Sequence, residues 1–315
     1  MDHPPIPLIV LGGRDRRPPR LPDGSPERHP LLGYKGLDLK VGARPLIAEV
    51  VDRWRRSEAF GPVYIAGPAA LYRGVVPGAV LVDTDGDFGQ NLRAGLEAVI
   101  AAHGMAPTAV TTCDVLPDAA ELAALVTEYR RVSPCDFWMP QIRVPEDPGK
   151  LGASDWKPRY RLIPEDRDEP VEILPSHLVI ADTAAIRLGL VYRMFALAYR
   201  TRNRPVMFRR AVIARAMIGA LLLEDLRALV RLRPPLLTWE VVRNGSALAR
   251  SLASGAIRAD RLAHLVHKLF VLHAHRHRHP DRRGYMPVLE GLSLAKDIDT
   301  EEEARELTKR FSSND

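Results

Sequence analysis

A mainly parallel α/β sheet with helices on both faces is the fold class this sequence predicts, and three observations predict it. Short apolar runs alternate with amphipathic helical segments over the first half of the chain, the pattern that builds βα units rather than hairpins. The first run ends in the turn Gly12-Gly13. A later run, 109–113, ends at Asp114. In such sheets ligands bind beyond the carboxyl ends of the strands, so these two distant positions are expected to face one cleft.

Taken in order, strands are expected at 7–11, 63–66, 80–82, 109–113, 137–142 and 171–181. Helices are expected between them at 45–58, 89–102 and 118–132. Asp118 precedes Glu121, and Thr300 precedes Glu303, by the three-residue spacing of a capping box, which fixes two helix starts. From about Asp182 to about Leu272 strands give way to consecutive helices, with arginines punctuating an apolar background of Leu, Ala, Met and Phe. The chain therefore divides into an α/β core at 1–182, a helical subdomain at 183–280, and a return segment with a C-terminal helix at 281–315. No internal repeat or low-complexity linker separates these parts. The loop 18–30 is rich in Pro and charge, more like an ordered lid than a tether.

The Gly12-Gly13 turn carries the first chemical signal. Glycines let the backbone approach a phosphate chain and expose N–H groups as an anion nest, and basic residues, Arg17 among them, follow at once. A strand ending in Gly-Gly is also simply a tight turn. Three further segments favour the phosphate reading because of their order. They are Tyr34-Lys35-Gly36-Leu37-Asp38-Leu39-Lys40-Val41-Gly42-Ala43-Arg44-Pro45, then Ala109-Val110-Thr111-Thr112-Cys113-Asp114, and finally Lys296-Asp297-Ile298-Asp299-Thr300.

Together with the Gly-Gly turn, these segments resemble the MobA-like (molybdenum cofactor guanylyltransferase-like) NTP transferases over about the first 120 positions and again near the end. The resemblance implies a nucleotide-diphospho-sugar transferase (glycosyltransferase-A-like) fold with a helical insertion. It also implies transfer of a nucleoside monophosphate from an NTP to a phosphorylated or hydroxylated acceptor, with release of pyrophosphate and with Mg²⁺ as cofactor. In that family the Gly-rich turn, its arginine and the following lysine embrace the triphosphate, which here points to Leu11, Gly12, Gly13, Arg17 and Lys35. Asp114 corresponds to the metal-holding aspartate, with Asp297 or Asp299 as the second ligand. Asn91, in Gly86-Asp87-Phe88-Gly89-Gln90-Asn91, lies in the segment that runs beside the nucleobase. The chain departs from the family in Pro18, which follows the arginine, and in the long loop before Lys35.

Each of these residues also has a plain structural reading. Asp114 can cap the helix that begins near Asp118, Asp297 and Asp299 can stabilise the turn before a Thr-capped helix, and Asn91 can be an ordinary first-turn residue. The acceptor is assigned to Arg159, His177, Arg202 and Arg204. The first two flank or sit in the strand 171–181, and the last two lie in a cationic turn between two apolar helices. The helical subdomain is accordingly placed on the acceptor side of the cleft. The acceptor itself is a small molecule or a lipid-linked one, and an Arg-faced amphipathic helix leaves peripheral contact with a membrane open.

Composition narrows the classes. The chain has 315 residues, 46% of them apolar, and a net charge of +6, which suits a polyanionic ligand. That charge is mostly arginine, and it is not read as a nucleic-acid signal. Cys113 and Cys135 have no zinc or redox spacing. Neither a signal peptide nor a long apolar run is read, so a cytoplasmic location is expected. Walker A, Rossmann and Gly-x-Ser-x-Gly patterns are missing, which argues against the commonest kinases, dehydrogenases and hydrolases. The alternating histidines His273, His275, His277 and His279 are expected in a solvated basic loop, and His264 and His267 in packing roles. Two rivals remain: a glycosyltransferase using a nucleotide sugar on the same fold, and a non-catalytic protein associated with a membrane or nucleic acid.

Overall fold

The computed structural model describes residues 4–14, 16, 29–201, 204, 212, 215–216, 218–219, 221–223, 225–226, 229–230, 237–253 and 257–312. Arg17, Arg202 and most of the loop 18–30 therefore lie outside the described residues. In chain order the strands are β1 (Ile6–Leu11), β2 (Lys40–Val41), β3 (Arg44–Pro45), β4 (Phe60–Gly67), β5 (Val80–Asp83), β6 (Pro107–Thr112) and β7 (Phe137–Trp138). They continue as β8 (Gln141–Arg143), β9 (Tyr160–Ile163), β10 (Val171–Pro175), β11 (Val179–Asp182), β12 (Ile257–Arg258), β13 (Gly284–Tyr285) and β14 (Val288–Leu289). The first six α-helices are α1 (Lys35–Asp38), α2 (Leu46–Arg56), α3 (Ala69–Tyr72), α4 (Phe88–His103), α5 (Ala119–Val132) and α6 (Leu188–Arg200).

The large sheet has the order β13-β7-β11-β6-β1-β4-β5. Its centre is parallel, with β1 between β4 and β6, and β11 runs antiparallel to β6. Strand β1 shows why helices cover both faces. Leu8 and Val10 belong to a core with Leu46, Ile47, Val50 and Trp54 of α2. Ile9 and Leu11 point the other way, into a core with Leu92, Leu96 and Val99 of α4. A strand apolar at every position has to be buried on both sides, and the two-residue alternation divides its side chains between two helical layers.

Two expected strands turn out to be four. The run 137–142 divides into β7 and β8, and the run 171–181 divides into β10 and β11. In each case the halves belong to different sheets, because β8 and β10 lie in a five-stranded sheet of order β12-β9-β10-β8-β14. The return segment makes the same crossing between β13 and β14. Pro140, Ser176-His177 and Met286-Pro287 stand at the three crossings. A proline cannot donate to a ladder, so two of these breaks have a local cause, while apolar residues resume on the far side of all three.

The helical insertion is built onto both sheets. Helix α6 lies on α4, with the Phe88 and Phe195 rings 5.2 Å apart, and Gly89 permits the approach because a Cβ there would stand 3.0 Å from the Ala196 nitrogen. The helix Ala259–Phe270 shares a core with Phe137, Leu162 and Ile173 of the two sheets. The histidine run is not a loop. It forms the helix His273–Arg278, in which His275 is buried. Its Nε2 lies 3.1 Å from Asp136, and His267 approaches the other oxygen of the same carboxylate at 2.7 Å. Asp136 is fully buried and needs such partners, so two imidazoles that are spaced for no metal motif serve an internal anion instead.

Of the two capping boxes, Thr300 with Glu303 is complete: the Glu303 N–H donates to the Thr300 hydroxyl, and the Glu303 carboxylate accepts from the Thr300 N–H. Asp118 caps α5 by accepting from Ala120 and Glu121, but the Glu121 carboxylate turns away to accept from Ser293. A box not anticipated, Asp87 with Gln90, opens α4. Among the described residues, no helix is long and apolar enough to cross a membrane.

Candidate active site

Three chain segments meet at the carboxyl end of the large sheet. Leu11 closes β1 and leads into Gly12-Gly13, Asp114 follows β6, and Asp297 to Asp299 arrive from the return segment. This last segment is fixed to the core by backbone pairing. Val115 bridges Asp297, the Ile298 N–H donates to the Asp114 carbonyl at 3.1 Å, and the Leu31 N–H donates to the Asp299 carbonyl at 2.8 Å. Carboxylates about 180 residues apart in sequence thus become neighbours.

Asp114, Asp297 and Asp299 each offer one carboxylate oxygen, and the three atoms lie within 4.8 Å of one another. That spacing and donor type suit a hard divalent cation. Asp114 Oδ1 is buried with no hydrogen-bond partner among the described residues, an open acceptor on one of the three carboxylates. Asp114 does not cap the following helix, because Asp118 performs that task.

Two lysines compensate these charges. Lys35, the first residue of α1, places its Nζ 3.1 Å from Asp114 and 2.5 Å from Asp299. Lys157 contacts Asp297 and lies 3.4 Å from Glu303 and 3.6 Å from Asp299. His177 adds its Nε2 at 3.3 Å from Asp297. Burial opposes ionisation of Asp297, yet His177 and Lys157 outweigh it and hold this carboxyl well below the usual range. Asp299 goes the other way: burial and the adjacent Asp297 charge push it up to about 6, against the pull of Lys35 and Lys157. Burial alone would lower the pKa values of both lysines, and the surrounding carboxylates raise them instead.

Beside this cluster opens a cleft of about 630 Å³ lined by Leu11, Gly13, Arg14, Lys35, Asn91 and Asp114, with Tyr199 from α6 on its wall. The two glycines differ. Gly12 donates its N–H to Ala66 and accepts from the Tyr72 hydroxyl, so its amide is engaged in the sheet, and a Cβ would stand 2.8 Å from that hydroxyl oxygen. Gly13 is the one at the cleft, where a Cβ would meet the Asn91 amide nitrogen at 2.2 Å. Asn91 is 3% exposed, and its Oδ1 accepts from the Thr84 hydroxyl and the Gly86 N–H, so only its Nδ2 faces the glycine turn.

The other expected residues are dispersed. Arg159 is paired with Glu172 at 3.2 Å. Arg204 is exposed beyond the end of α6. His177 joins the carboxylate cluster, while Arg17 and Arg202 are outside the described residues. Sequence reasoning missed three contributors. Lys157 was not assigned to the carboxylate cluster, Glu303 was read only as a cap, and Arg14 lines the cleft while lying 3.4 Å from Asp85. Glu303 alone had a legible signal, its capping position, which fixed where it sits without revealing its second contact.

This is a nucleotide-diphospho-sugar transferase type of α/β fold, with a carboxylate and lysine cluster at the strand ends. The chain is similar to a hypothetical transferase from Thermus thermophilus, with 16% identity, 95% of this chain and 99% of that one covered, and a TM-score of 0.56. Weaker likenesses include the 4-diphosphocytidyl-2C-methyl-D-erythritol synthase of Anaerococcus prevotii, at 10% identity with 99% and 100% of the two chains covered and a TM-score of 0.45. A CMP:2-keto-3-deoxy-manno-octonic acid synthetase complexed with CTP gives 12% identity, coverage of 72% and 85%, and a TM-score of 0.41. No family model and no curated relative matches the chain.

Proposed function

We propose that this protein is a nucleotidyltransferase of the MobA-like kind, which joins a nucleoside monophosphate from an NTP to a phosphorylated or hydroxylated acceptor and releases pyrophosphate. The observation that carries this reading is the convergence of Asp114, Asp297 and Asp299 within 4.8 Å, next to a glycine-turned cleft that Lys35 also lines. Asp114, whose buried Oδ1 is open, would hold Mg²⁺ together with Asp299 or Asp297. The ion, when bound, neutralises charge on the triphosphate oxygens.

The chain's own residues supply the rest. Lys35 carries a fixed positive charge at the border of cleft and cluster, suited to the distal phosphates that distinguish an NTP from a nucleotide sugar. Gly13 lets a phosphate approach the backbone, and the Asn91 Nδ2 lies beside it as a donor to phosphate or base. Tyr199 brings α6 to the cleft wall, which supports an acceptor-side role for the helical insertion. An acceptor oxygen attacks the α-phosphorus, the bond to the bridging oxygen breaks, and pyrophosphate leaves. Arg14, at the cleft, and His177, behind the cluster, are positioned to steady the leaving group and Asp297 respectively.

The test is a thermal-shift panel of NTPs, NDPs and nucleotide sugars with and without Mg²⁺. The reading expects at least one NTP to stabilise the protein in a Mg²⁺-dependent way, more than its diphosphate does. Stabilisation by a nucleotide sugar in preference to every NTP would instead establish the glycosyltransferase alternative.

A further inference from the structure

Of the 14 exposed large apolar side chains among the described residues, eight fall between 218 and 242 on the helical insertion. Leu222, Leu226 and Leu229 follow at the i, i+4, i+7 spacing of one helical face. With Trp239 and Val242 of the helix Leu237–Ala253 they line an open groove of about 930 Å³ that shares no residue with the cleft. Trp239 is 65% exposed. Asp225, at the same groove, contributes no free charge. Its two oxygens accept from the Leu237 and Thr238 N–H groups at 3.0 and 2.8 Å and so cap the second helix.

By sequence, the segment that carries the groove is cationic. Segment 186–253 contains 13 arginines, no lysine and three acidic residues, so it carries +10 in a chain whose total is +6, and the remainder is net negative. Two of those acids are engaged internally, Asp225 as the cap and Glu240 with Arg187 and Arg276. At 3.6 residues per turn, Trp239, Val242, Arg243, Ser246 and Arg250 share an arc of roughly 100° on their helix. All five are exposed. Arg215 is likewise exposed, and it stands in line with Ile218 and Leu222.

Charge selects the occupant. A second copy would bring one arginine-rich surface against another. Nucleic acid would use the arginines but leave the leucines in water. An anionic bilayer uses both, because arginines reach lipid phosphates while leucine and tryptophan enter the boundary between head groups and acyl chains. We propose that this face of the helical insertion docks on an anionic phospholipid membrane. The inference stands independently of the nucleotide chemistry proposed above.

The experiment is flotation of the full chain with vesicles of phosphatidylcholine alone and of phosphatidylcholine with phosphatidylglycerol, at low and high salt. Flotation only with the anionic vesicles, weakened by salt, is expected. Leu226→Asp combined with Trp239→Asp, and separately Arg243→Glu with Arg250→Glu, should each lower partitioning by at least about tenfold, while Leu71→Asp, an exposed leucine elsewhere, should not. Circular dichroism melting and NTP binding, read in parallel, should be unchanged in all three. Absence of flotation by the wild type overturns the proposal, as does wild-type flotation of both double variants. It is equally overturned if the apolar variant converts a dimer to a monomer without affecting flotation, or if the arginines bind oligonucleotides and not vesicles.

Discussion

Replacing Asp114 by asparagine separates a metal ligand from a structural anion, because the two roles predict losses of different kinds. Asparagine keeps the size of the side chain and removes its charge. Lys35 then loses a 3.1 Å partner but keeps Asp299 at 2.5 Å, so the buried ammonium is weakened rather than orphaned. One charge-assisted hydrogen bond is worth about 1.5–3 kcal/mol. At roughly 2–4 °C of Tm per kcal/mol for a chain larger than a small domain, the metal-free variant should melt about 3–12 °C lower and still fold. The functional loss should be larger. Removing one preorganised electrostatic contact to a developing charge typically costs about 10²–10³ in rate, and Mg²⁺-dependent NTP affinity should fall with it. Calorimetric titration of NTP with and without Mg²⁺, beside thermal melting, reads both effects. A folded variant that kept wild-type Mg²⁺-dependent binding and turnover would refute the assignment and leave Asp114 as a partner of Lys35 alone.

Lys35→Ala should weaken NTP binding by more than about tenfold while changing the nucleoside monophosphate less than about twofold, since a point charge on distal phosphates is not reached by the shorter ligand; equal losses by calorimetry would mark a structural lysine. Lys157→Met leaves Asp297, Asp299 and Glu303 facing one another without a cation they all contact. It should cost about 3–5 kcal/mol without metal, and Mg²⁺ should raise the melting temperature of the variant more than that of the wild type. Burial opposes the ionisation of Asp136, but His267, His275 and Arg282 hold it below its ordinary value. Its contribution to stability is therefore complete above the unfolded pKa and is lost as pH falls through the lower folded value. Urea midpoints measured between pH 5 and pH 2 (about the range of acid-side loss for such carboxylates) should fall less steeply for Asp136→Asn than for the wild type, from a lower starting stability.

Much of the large sheet was legible because its strands are mainly apolar runs and its helices are amphipathic, and both patterns are local. The cap at Asp118 and the box at Thr300 were legible for the same reason, being contacts within a few residues. Where the chain passes from one sheet to the other, after Trp138, Pro175 and Tyr285, apolar residues stand on both sides of the break, and the crossing is decided by which neighbour each half finds. The same limit governs the site. Gly13, Lys35, Asp114 and Asp299 were singled out through motifs that each lie in a single stretch of chain. Lys157 was not tied to the cluster because its contact is with Asp297, 140 residues away. The histidine run illustrates the reverse error. Its alternation with arginine suggested a solvated basic loop, but the buried Asp136 carboxylate, which no local pattern reveals, has His275 as a partner within a helix.

The charge arrangement explains why the two lysines belong to the site as much as the aspartates. Four buried or half-buried carboxylates, Asp114, Asp297, Asp299 and Glu303, would by themselves repel a triphosphate and destabilise the fold. Lys157, in the bend before β9, and His177, in the crossing between β10 and β11, face Asp297, which fixes that corner of the cluster as an ionised, internally paired unit. Lys35 is different, because it touches both Asp114 and Asp299 and also borders the cleft. Lys35 holds Oδ2 of Asp114 and leaves Oδ1 open, so a divalent ion on Oδ1 would share that carboxylate with the ammonium. Under the proposed function, Asp297, held ionised by His177 and Lys157, which do not line the cleft, would be the carboxylate least altered by a metal, and Asp114, whose Oδ1 is open, the one most altered.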